Sequence, residues 1–218
     1  MNTNLSRRTF VSHAASAGVF AGVSFPSLSA KHHSSDRFKL GLSQYSLRAL
    51  LKNGSLDALD FPQFTVDQFG IQAIDLWEGG LPKDKLDDAK YLARMRKKAE
   101  QAGTDLFLLM SGALDASPQK REASSARIRA SFQRSVQLGA PLVRVFLKAP
   151  GTEAEAGLSA SVEALKPLAD EAAEKNLIIA IEPGASPLSQ KGAFLAQVAG
   201  KLKHPALKLM PDFGKLKD

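Results

Sequence analysis

From residue 38 onward, short apolar runs alternate with longer stretches in which apolar and polar residues recur at helical spacing. The apolar runs predict six strands, at residues 38–42, 71–77, 105–110, 142–147, 177–181 and 207–210. The runs show little alternation between apolar and polar positions, as in the segment from Leu177 to Ile181. This pattern is typical of parallel strands that are covered on both faces.

The predicted helices between these strands have recognisable ends. Gly70, Gly103, Gly139 and Asn176 stand where a left-handed residue would end a helix, and they follow one another at steps of 33, 36 and 37 residues. A period of this size corresponds to one unit of strand and helix per repeat.

Two helix starts can also be read. Asp60 is a predicted N-cap, followed by Pro62 and by Gln63, which has the length to reach back to the cap. Ser117 is a predicted cap placed before Pro118, a residue that suits the first position of a helix. Helices are therefore expected to begin at these two points.

Strand and helix units with parallel strands allow either an open doubly wound sheet or a closed barrel. An open sheet of this kind normally carries a Gly-rich turn after its first strand, and residues 42–47, Leu-Ser-Gln-Tyr-Ser-Leu, contain no glycine. The sequence therefore predicts an α/β fold of the closed-barrel type. In such barrels the functional groups follow the carboxyl ends of the strands.

The composition indicates an ordinary globular chain with a distinct amino terminus. Its 218 residues, 44% of them hydrophobic, can form one domain or at most two. An Arg7-Arg8 pair precedes a mildly apolar stretch and then small residues that end at Ala30. This pattern predicts a twin-arginine signal peptide over residues 1–30, followed by a flexible linker at 31–37. We therefore expect a periplasmic or otherwise exported protein that uses the twin-arginine translocase. The alternative is an uncleaved anchor or a chance pair of arginines.

The excess of positive charge does not indicate a nucleic-acid-binding protein. The net charge of +7 includes Arg7 and Arg8, and the remaining Lys and Arg residues are scattered through predicted helices such as the segment at 94–98. Scattered charges favour solvated helix faces over a basic groove. The absence of cysteine excludes disulfides, zinc-thiolate sites and thiol chemistry.

Two of the later predicted strands end on a carboxylate. Glu182 follows the strand at 177–181, and Asp212 follows the strand at 207–210 after a single proline. Acids at the carboxyl ends of neighbouring parallel strands point into the same cavity and can form half of a site for a hard metal ion. The alternative is that both are ordinary solvated acids.

Other polar and aromatic residues near strand ends are candidates for substrate binding. They are Gln44, Tyr45, Trp77, Glu78, Arg144 and Lys148. The only tryptophan, Trp77, has the flat face that stacks on sugar rings, but it could equally cap the barrel. Arg144 interrupts an apolar strand and needs a partner if it is buried, either an anionic substrate or an acid in a structural ion pair.

The order and spacing of several segments resemble the sugar phosphate isomerase/epimerase family, the xylose isomerase-like branch of the TIM barrels. The segments lie at 38–47, 56–61, 69–76, 181–183 and 204–214, and the last contains His-Pro followed by Leu-Met-Pro-Asp-Phe-Gly. The resemblance extends over residues 38–218 and implies a TIM-barrel-like fold of (β/α) repeats. At roughly 35 residues per repeat, eight units need about 280 residues, so about six of the eight are expected here. We therefore expect a partial barrel, truncated after its sixth strand.

The resemblance also implies a divalent metal ion (Mn, Mg, Co or Zn) held by residues that follow the fifth to eighth strands. Carried over by position, the first two ligands are Glu182 and Asp212, and Glu182 would also act as the catalytic acid or base. The other two ligands have no counterpart in the sequence. The chain also departs from the family at Pro183, Gly184 and Lys215, where the most similar branch has Asn-His and Asn.

Three functions follow from this resemblance. The first is an exported sugar isomerase, epimerase or related lyase that uses metal-assisted proton transfer on a keto- or hydroxy-sugar. The second is a non-catalytic barrel remnant or carbohydrate-binding protein, whose open sheet edges would favour a homo-oligomer. The third is an AP-endonuclease-like phosphodiesterase, which would need several metal-binding His residues that the sequence does not supply. The expected partner is a small-molecule carbohydrate and not a nucleic acid.

Overall fold

The computed structural model describes residues 38–217, and these contain six parallel strands in a single sheet. The strands lie in the sheet in the order in which they occur in the chain. They are β1 (Gly41–Ser43), β2 (Ala73–Trp77), β3 (Asp105–Asp115), β4 (Leu142–Lys148), β5 (Ile178–Glu182) and β6 (Leu207–Leu209). The predicted signal peptide at 1–30 and the predicted linker at 31–37 lie outside the described residues.

Helices connect each strand to the next. The α-helices are α1 (Arg48–Lys52), α2 (Phe61–Phe69), α3 (Ala89–Gln101), α4 (Pro118–Leu138), α5 (Ala154–Glu174) and α6 (Gly192–Leu202). Short 3₁₀ helices lie at Gln44–Leu47, Ala58–Asp60, Glu78–Gly80, Lys83–Lys85 and Leu188–Gln190. None of the helices in residues 38–217 is long and apolar enough to cross a membrane. The predicted α/β fold of TIM-barrel-like (β/α) repeats is confirmed, with six units among the described residues.

The four predicted helix ends are also confirmed. Gly70, Gly103, Gly139 and Asn176 have φ angles of 66°, 66°, 75° and 55°, which place them in the left-handed region. Each residue turns the chain from the end of a helix toward the next strand. Glycine suits this conformation because it has no Cβ to clash with the backbone, and Asn tolerates it better than most other residues.

Both predicted helix starts are confirmed in position, because α2 begins directly after Asp60 and α4 directly after Ser117, but neither side chain makes a capping hydrogen bond. The side chain of Asp60 does not cap α2, because the chain makes a 3₁₀ turn at Ala58–Asp60 immediately before that helix. Asp57 caps the 3₁₀ turn, because its carboxylate accepts a hydrogen bond from the backbone N–H of Leu59 at 2.8 Å. Gln63 donates to Asp67 instead of reaching back to Asp60.

The strand limits differ from the predicted ones mainly at β1 and β3. β1 begins at Gly41, three residues later than predicted, and β3 continues past Met110 to Asp115. The pairing of β3 with β4 shifts its register between Met110 and Ala113, so an irregularity joins the two halves of the long strand. Its second half carries Asp115 to the carboxyl end of the sheet.

Apolar side chains pack on both faces of the sheet. On the outer face, alternate residues such as Val143, Val145 and Leu147 of β4 are buried against the helices. On the inner face, Leu108 and Met110 of β3 form a smaller cluster with neighbours from the other strands. Because side chains alternate along a strand, the residues between the outward-facing ones point into the barrel. Arg144 of β4 is one of these inward residues.

Candidate functional site

A buried ion pair lies inside the barrel between β4 and β5. In the parallel register Arg144 is opposite Ala180, and Phe146 is opposite Glu182, so Arg144 and Glu182 share the inner face. Arg144 Nε is 2.9 Å from Glu182 Oε2, and both side chains are almost fully buried. The N–H of Nε is not aligned for a hydrogen bond. The guanidinium instead donates from Nη1 to the Ser111 carbonyl at 2.6 Å. Two partners were predicted for Arg144, an anionic substrate or an acid in a structural ion pair. The structure shows the ion pair, with Glu182 as the acid.

A second cation, Lys215, lies between Glu182 and Asp212, the two predicted metal ligands. Its ammonium contacts Glu182 Oε1 and lies 3.1 Å from Asp212 Oδ2. The same ammonium is 4.6 Å from the centre of the Phe146 ring, and Arg144 Cζ is 4.1 Å from that centre. Burial opposes the charge of Lys215, but its two carboxylate partners outweigh burial and raise its pKa.

The third acid of this region is Asp75 in the middle of β2. It is buried and accepts hydrogen bonds on Oδ1 from the Ser43 hydroxyl at 3.0 Å and from the Gln44 backbone N–H at 3.2 Å. Burial raises the pKa of Asp75 from its ordinary 3.8 to about 6, against the opposing effects of these hydrogen bonds and of nearby Arg144. Glu182 is also close enough to contribute to the increase.

Asp75, Arg144, Glu182, Asp212 and Lys215 form what we call the carboxyl-end cluster. Arg144, Glu182 and Asp212 were predicted from the sequence as site residues. Lys215 was predicted only as a departure from the family, and Asp75 was not predicted. The available signal was a single charged residue within the apolar segment Ala-Ile-Asp-Leu-Trp of β2. That is the same signal that identified Arg144 in β4.

The cluster does not fit a divalent metal ion. Both oxygens of Glu182 face cations of the chain itself, and the Asp212 carboxylate faces Lys215. Within residues 38–217 no three His, Asp or Glu side chains are grouped so that they could hold a metal ion. Hard divalent ions take six or more oxygen ligands and carry charge that Arg144 and Lys215 would repel.

The predicted rim residues after β1 and β2 pack against one another. Gln44 is fully buried, and its Oε1 accepts a hydrogen bond from the Trp77 backbone N–H at 3.0 Å. Tyr45 is about half exposed and meets Trp77 edge to face, with 5.0 Å between ring centres. Gln44 therefore supports the strand ends, whereas Tyr45 and Trp77 present aromatic surface at the rim. Their predicted binding of substrate stays a prediction.

The remaining two candidates are engaged in ion pairs. Glu78 lies 2.7 Å from Arg134, which also binds Asp87 at 2.9 Å. Lys148 lies 3.1 Å from Asp115 at the end of β3. The structure thus places Glu78 and Lys148 in contacts that tie strand ends to their surroundings, and neither belongs to the carboxyl-end cluster.

A shallow cavity lies in the loops beside the rim. It has a volume of about 320 Å³ and is lined by residues that include Lys52, Asp57 and the segment from Gly79 to Pro82. The members of the carboxyl-end cluster do not line it.

Comparison with known protein families gives a match over most of the chain. The family described as "Xylose isomerase-like TIM barrel" matches residues 65–216, which is more than half of the chain. A search of curated proteins found no match.

Solved structures match the fold at low sequence identity. A probable 3-DHS dehydratase involved in petrobactin synthesis in Bacillus anthracis has a TM-score of 0.67 and 18% identity, covering 82% of this chain and 64% of its own. A 3-keto-D-glucoside 4-epimerase from E. coli has a TM-score of 0.60 and 11% identity, with coverages of 73% and 64%. A D-psicose 3-epimerase, solved in the presence of D-fructose, has a TM-score of 0.58 and 17% identity, with coverages of 82% and 64%. The chain therefore spans less than two thirds of the length of these three proteins.

Proposed function

Because the chain belongs to the xylose isomerase-like TIM barrel family, we propose that its carboxyl-end cluster moves a proton on a small keto- or hydroxy-sugar. The proposed reaction class is isomerisation or epimerisation, in which a proton leaves a carbon next to a carbonyl group and returns to another position or face. The names of the epimerases with the same fold motivate this substrate class.

The observation that carries the proposal is the position of Asp75, buried on the inner face of β2 opposite Leu108, where burial raises its pKa to about 6. A general acid or base works best when its pKa lies near the working pH, because it can then both accept and release a proton. At neutral pH Asp75 is mostly ionised and can act as the base. Oδ1 accepts the hydrogen bonds from Ser43 and Gln44, and Oδ2 accepts neither of them. We therefore propose Oδ2 as the atom that accepts the proton from the substrate.

The neighbouring cations supply the electrostatic part of the proposed reaction. Removal of a proton next to a carbonyl group places negative charge on the carbonyl oxygen, and fixed positive charge nearby stabilises that state. Arg144 is held inside the barrel by Ser111 and Glu182, and Lys215 is held by Glu182 and Asp212. We propose that these two cations face the substrate oxygen and that Glu182 positions both.

The metal ion implied by the family resemblance has no part in this proposal. The two acids expected to hold it are paired with Lys215 and Arg144, so every proposed step uses only side chains of the chain.

A second candidate function is carbohydrate binding without catalysis. The mutual ion pairing of Glu182, Asp212, Arg144 and Lys215 favours it, because each charge in that group already has a partner. Tyr45 and Trp77 would then supply the aromatic surface on which a sugar ring stacks.

One experiment separates the two functions. The full chain is incubated in D₂O with a panel of keto-sugars that includes D-fructose and D-psicose, and deuterium incorporation at carbon is followed by proton NMR. Binding is measured in the same samples by saturation transfer from protein to sugar. Exchange at a carbon next to the carbonyl group supports the enzyme, and binding without exchange supports the second function. Absence of both would contradict both.

We also propose that residues 1–30 direct export by the twin-arginine route, on the basis of the Arg7-Arg8 pair and the small residues that end at Ala30. The substrate would then be a sugar outside the cytoplasm, which favours an unphosphorylated one.

A further inference from the structure

We infer that Lys215 is the resident cation of this site and that its ammonium takes the place, between Glu182 and Asp212, that the family resemblance gives to a divalent metal ion. The chain would accordingly hold this part of the site together without metal. The inference concerns the state of the protein before any substrate binds, so it holds for either proposed function.

The first argument is the charge balance around Glu182. This buried carboxylate has one oxygen 2.9 Å from Arg144 Nε and its other oxygen in contact with Lys215. Asp212 faces the same ammonium at 3.1 Å. Arg144 and Lys215 thus occupy both oxygens of Glu182, and Lys215 also faces Asp212. A divalent ion would bring two further positive charges next to these two cations, which is unfavourable beside the buried Glu182.

The second argument is that the backbone around residues 212–215 directs Lys215 to this position. The Gly214 N–H donates to Asp212 Oδ1 at 2.9 Å, and the Lys215 N–H donates to the Asp212 carbonyl at 3.0 Å. This tight turn brings the side chain of Lys215 back over the acid three residues earlier. The Phe146 ring then lies 4.6 Å from the ammonium and adds a cation–π contact.

The third argument joins two departures from the family that are far apart in sequence. Lys215 stands where the most similar branch has Asn, and Gly184 lies in the segment where that branch has Asn-His. In the structure these two residues meet: a Cβ added at Gly184 would lie 2.9 Å from Lys215 Cδ. The glycine therefore leaves the space through which the lysine stem passes. The absence of a side chain at Gly184 therefore makes room for the side chain of Lys215.

The direct test is a Mn²⁺ titration of the purified full chain after treatment with a chelator, followed by the EPR signal of free Mn²⁺. We expect any Mn²⁺ binding by the wild-type chain to be weak, and to change by less than about tenfold in the Glu182→Gln and Asp212→Asn variants. A wild-type chain that binds one equivalent of Mn²⁺, with a loss of affinity of tenfold or more in either variant, would overturn the inference.

A second measurement tests the role of Lys215 itself. Lys215→Met keeps the aliphatic stem but removes the charge, and Lys217→Met is the matched control because Lys217 is exposed. In metal-free buffer we expect a lower unfolding temperature for Lys215→Met and an unchanged one for Lys217→Met. Equal unfolding temperatures of Lys215→Met and the wild-type chain would contradict the inference. If Lys215→Met fails to fold, the inference is tested by the Mn²⁺ titration alone, with the wild-type chain compared with Asp212→Asn.

Discussion

Asp75 lowers the stability of the fold whenever it is ionised, and its replacement by Asn should reveal this cost. Burial raises its pKa from 3.8 to about 6, so the folded state favours the protonated carboxyl group. Ionisation therefore destabilises the folded chain. This loss of folding stability begins as the pH rises above 3.8 and is complete above about 6.

The size of this loss follows from the difference between the two pKa values. At about 1.4 kcal/mol for each pKa unit, the rise from 3.8 to about 6 corresponds to roughly 3 kcal/mol at pH 8. Asn resembles the protonated acid in shape, and its carbonyl oxygen can still accept the hydrogen bonds from Ser43 and Gln44. Asp75→Asn should therefore be more stable than the wild-type chain by roughly 3 kcal/mol at pH 8, with little difference near pH 4.

The assay is thermal unfolding followed by circular dichroism at pH 4 and pH 8. For a domain of this size, a gain of about 3 kcal/mol raises the unfolding temperature by roughly 6 to 12 °C. Asp105→Asn is the matched control, because Asp105 is an exposed acid at the amino end of the neighbouring strand β3. It should change the stability by less than about 0.5 kcal/mol at either pH. The reasoning would be refuted if Asp75→Asn were no more stable than the wild-type chain at pH 8. It would also be refuted if the gain in stability were the same at pH 4 and pH 8.

Three further tests, with four variants, address other predictions. Glu182→Gln leaves the buried Arg144 without its charged partner, so the free energy of unfolding in urea at pH 7 should fall by roughly 3 kcal/mol or more. A fall of less than about 1 kcal/mol would count against the buried ion pair. Gly79→Ala places a Cβ in contact with the Trp77 ring and should cost about 1–3 kcal/mol, whereas Gly200→Ala, with open space around it in α6, should be neutral or stabilising by up to about 1 kcal/mol. Equal effects of the two glycine replacements, measured by thermal unfolding, would show that packing at Trp77 does not decide the outcome. A chain with both Arg7→Lys and Arg8→Lys should remain in the cytoplasmic fraction when the wild-type chain is exported, and unchanged fractionation would contradict the twin-arginine prediction.

The repeat architecture could be predicted because local signals determine it. Gly70, Gly103, Gly139 and Asn176 end helices for a stereochemical reason that needs no knowledge of distant residues. The apolar strands could be located from the same local pattern. The start of α2 directly after Asp60 could be predicted as well. The 3₁₀ turn that precedes it, capped by Asp57, could not, because a 3₁₀ turn and an α-helix start are nearly indistinguishable in sequence.

The charge cluster was harder to predict because it depends on which face of each strand points inward. In strands that are apolar on both faces, alternation does not reveal the inner positions. The register of β4 and β5 places Arg144 and Glu182 on the same face, and the apolar sequence of these strands does not specify that register. Asp75 carried the same local signal as Arg144, a single charge in an apolar strand, but its burial depends on the pairing of β1 with β2, which places Ser43 opposite Asp75. Lys215 was recognised as a departure from the family, but its contact with Glu182 needs a turn that only the folded chain shows.

The most direct test of the central proposal is the rate at which the protein exchanges the carbon-bound proton of a keto-sugar with D₂O, measured as a function of pH. With Asp75 as the base, the wild-type rate should rise as the pH passes through about 6 and then level off. Asp75→Asn should lose roughly a hundredfold or more of this rate, and Asp105→Asn should retain it. Exchange by Asp75→Asn at the wild-type rate, or a wild-type chain that shows no exchange with any sugar of the panel, would contradict the proposed function.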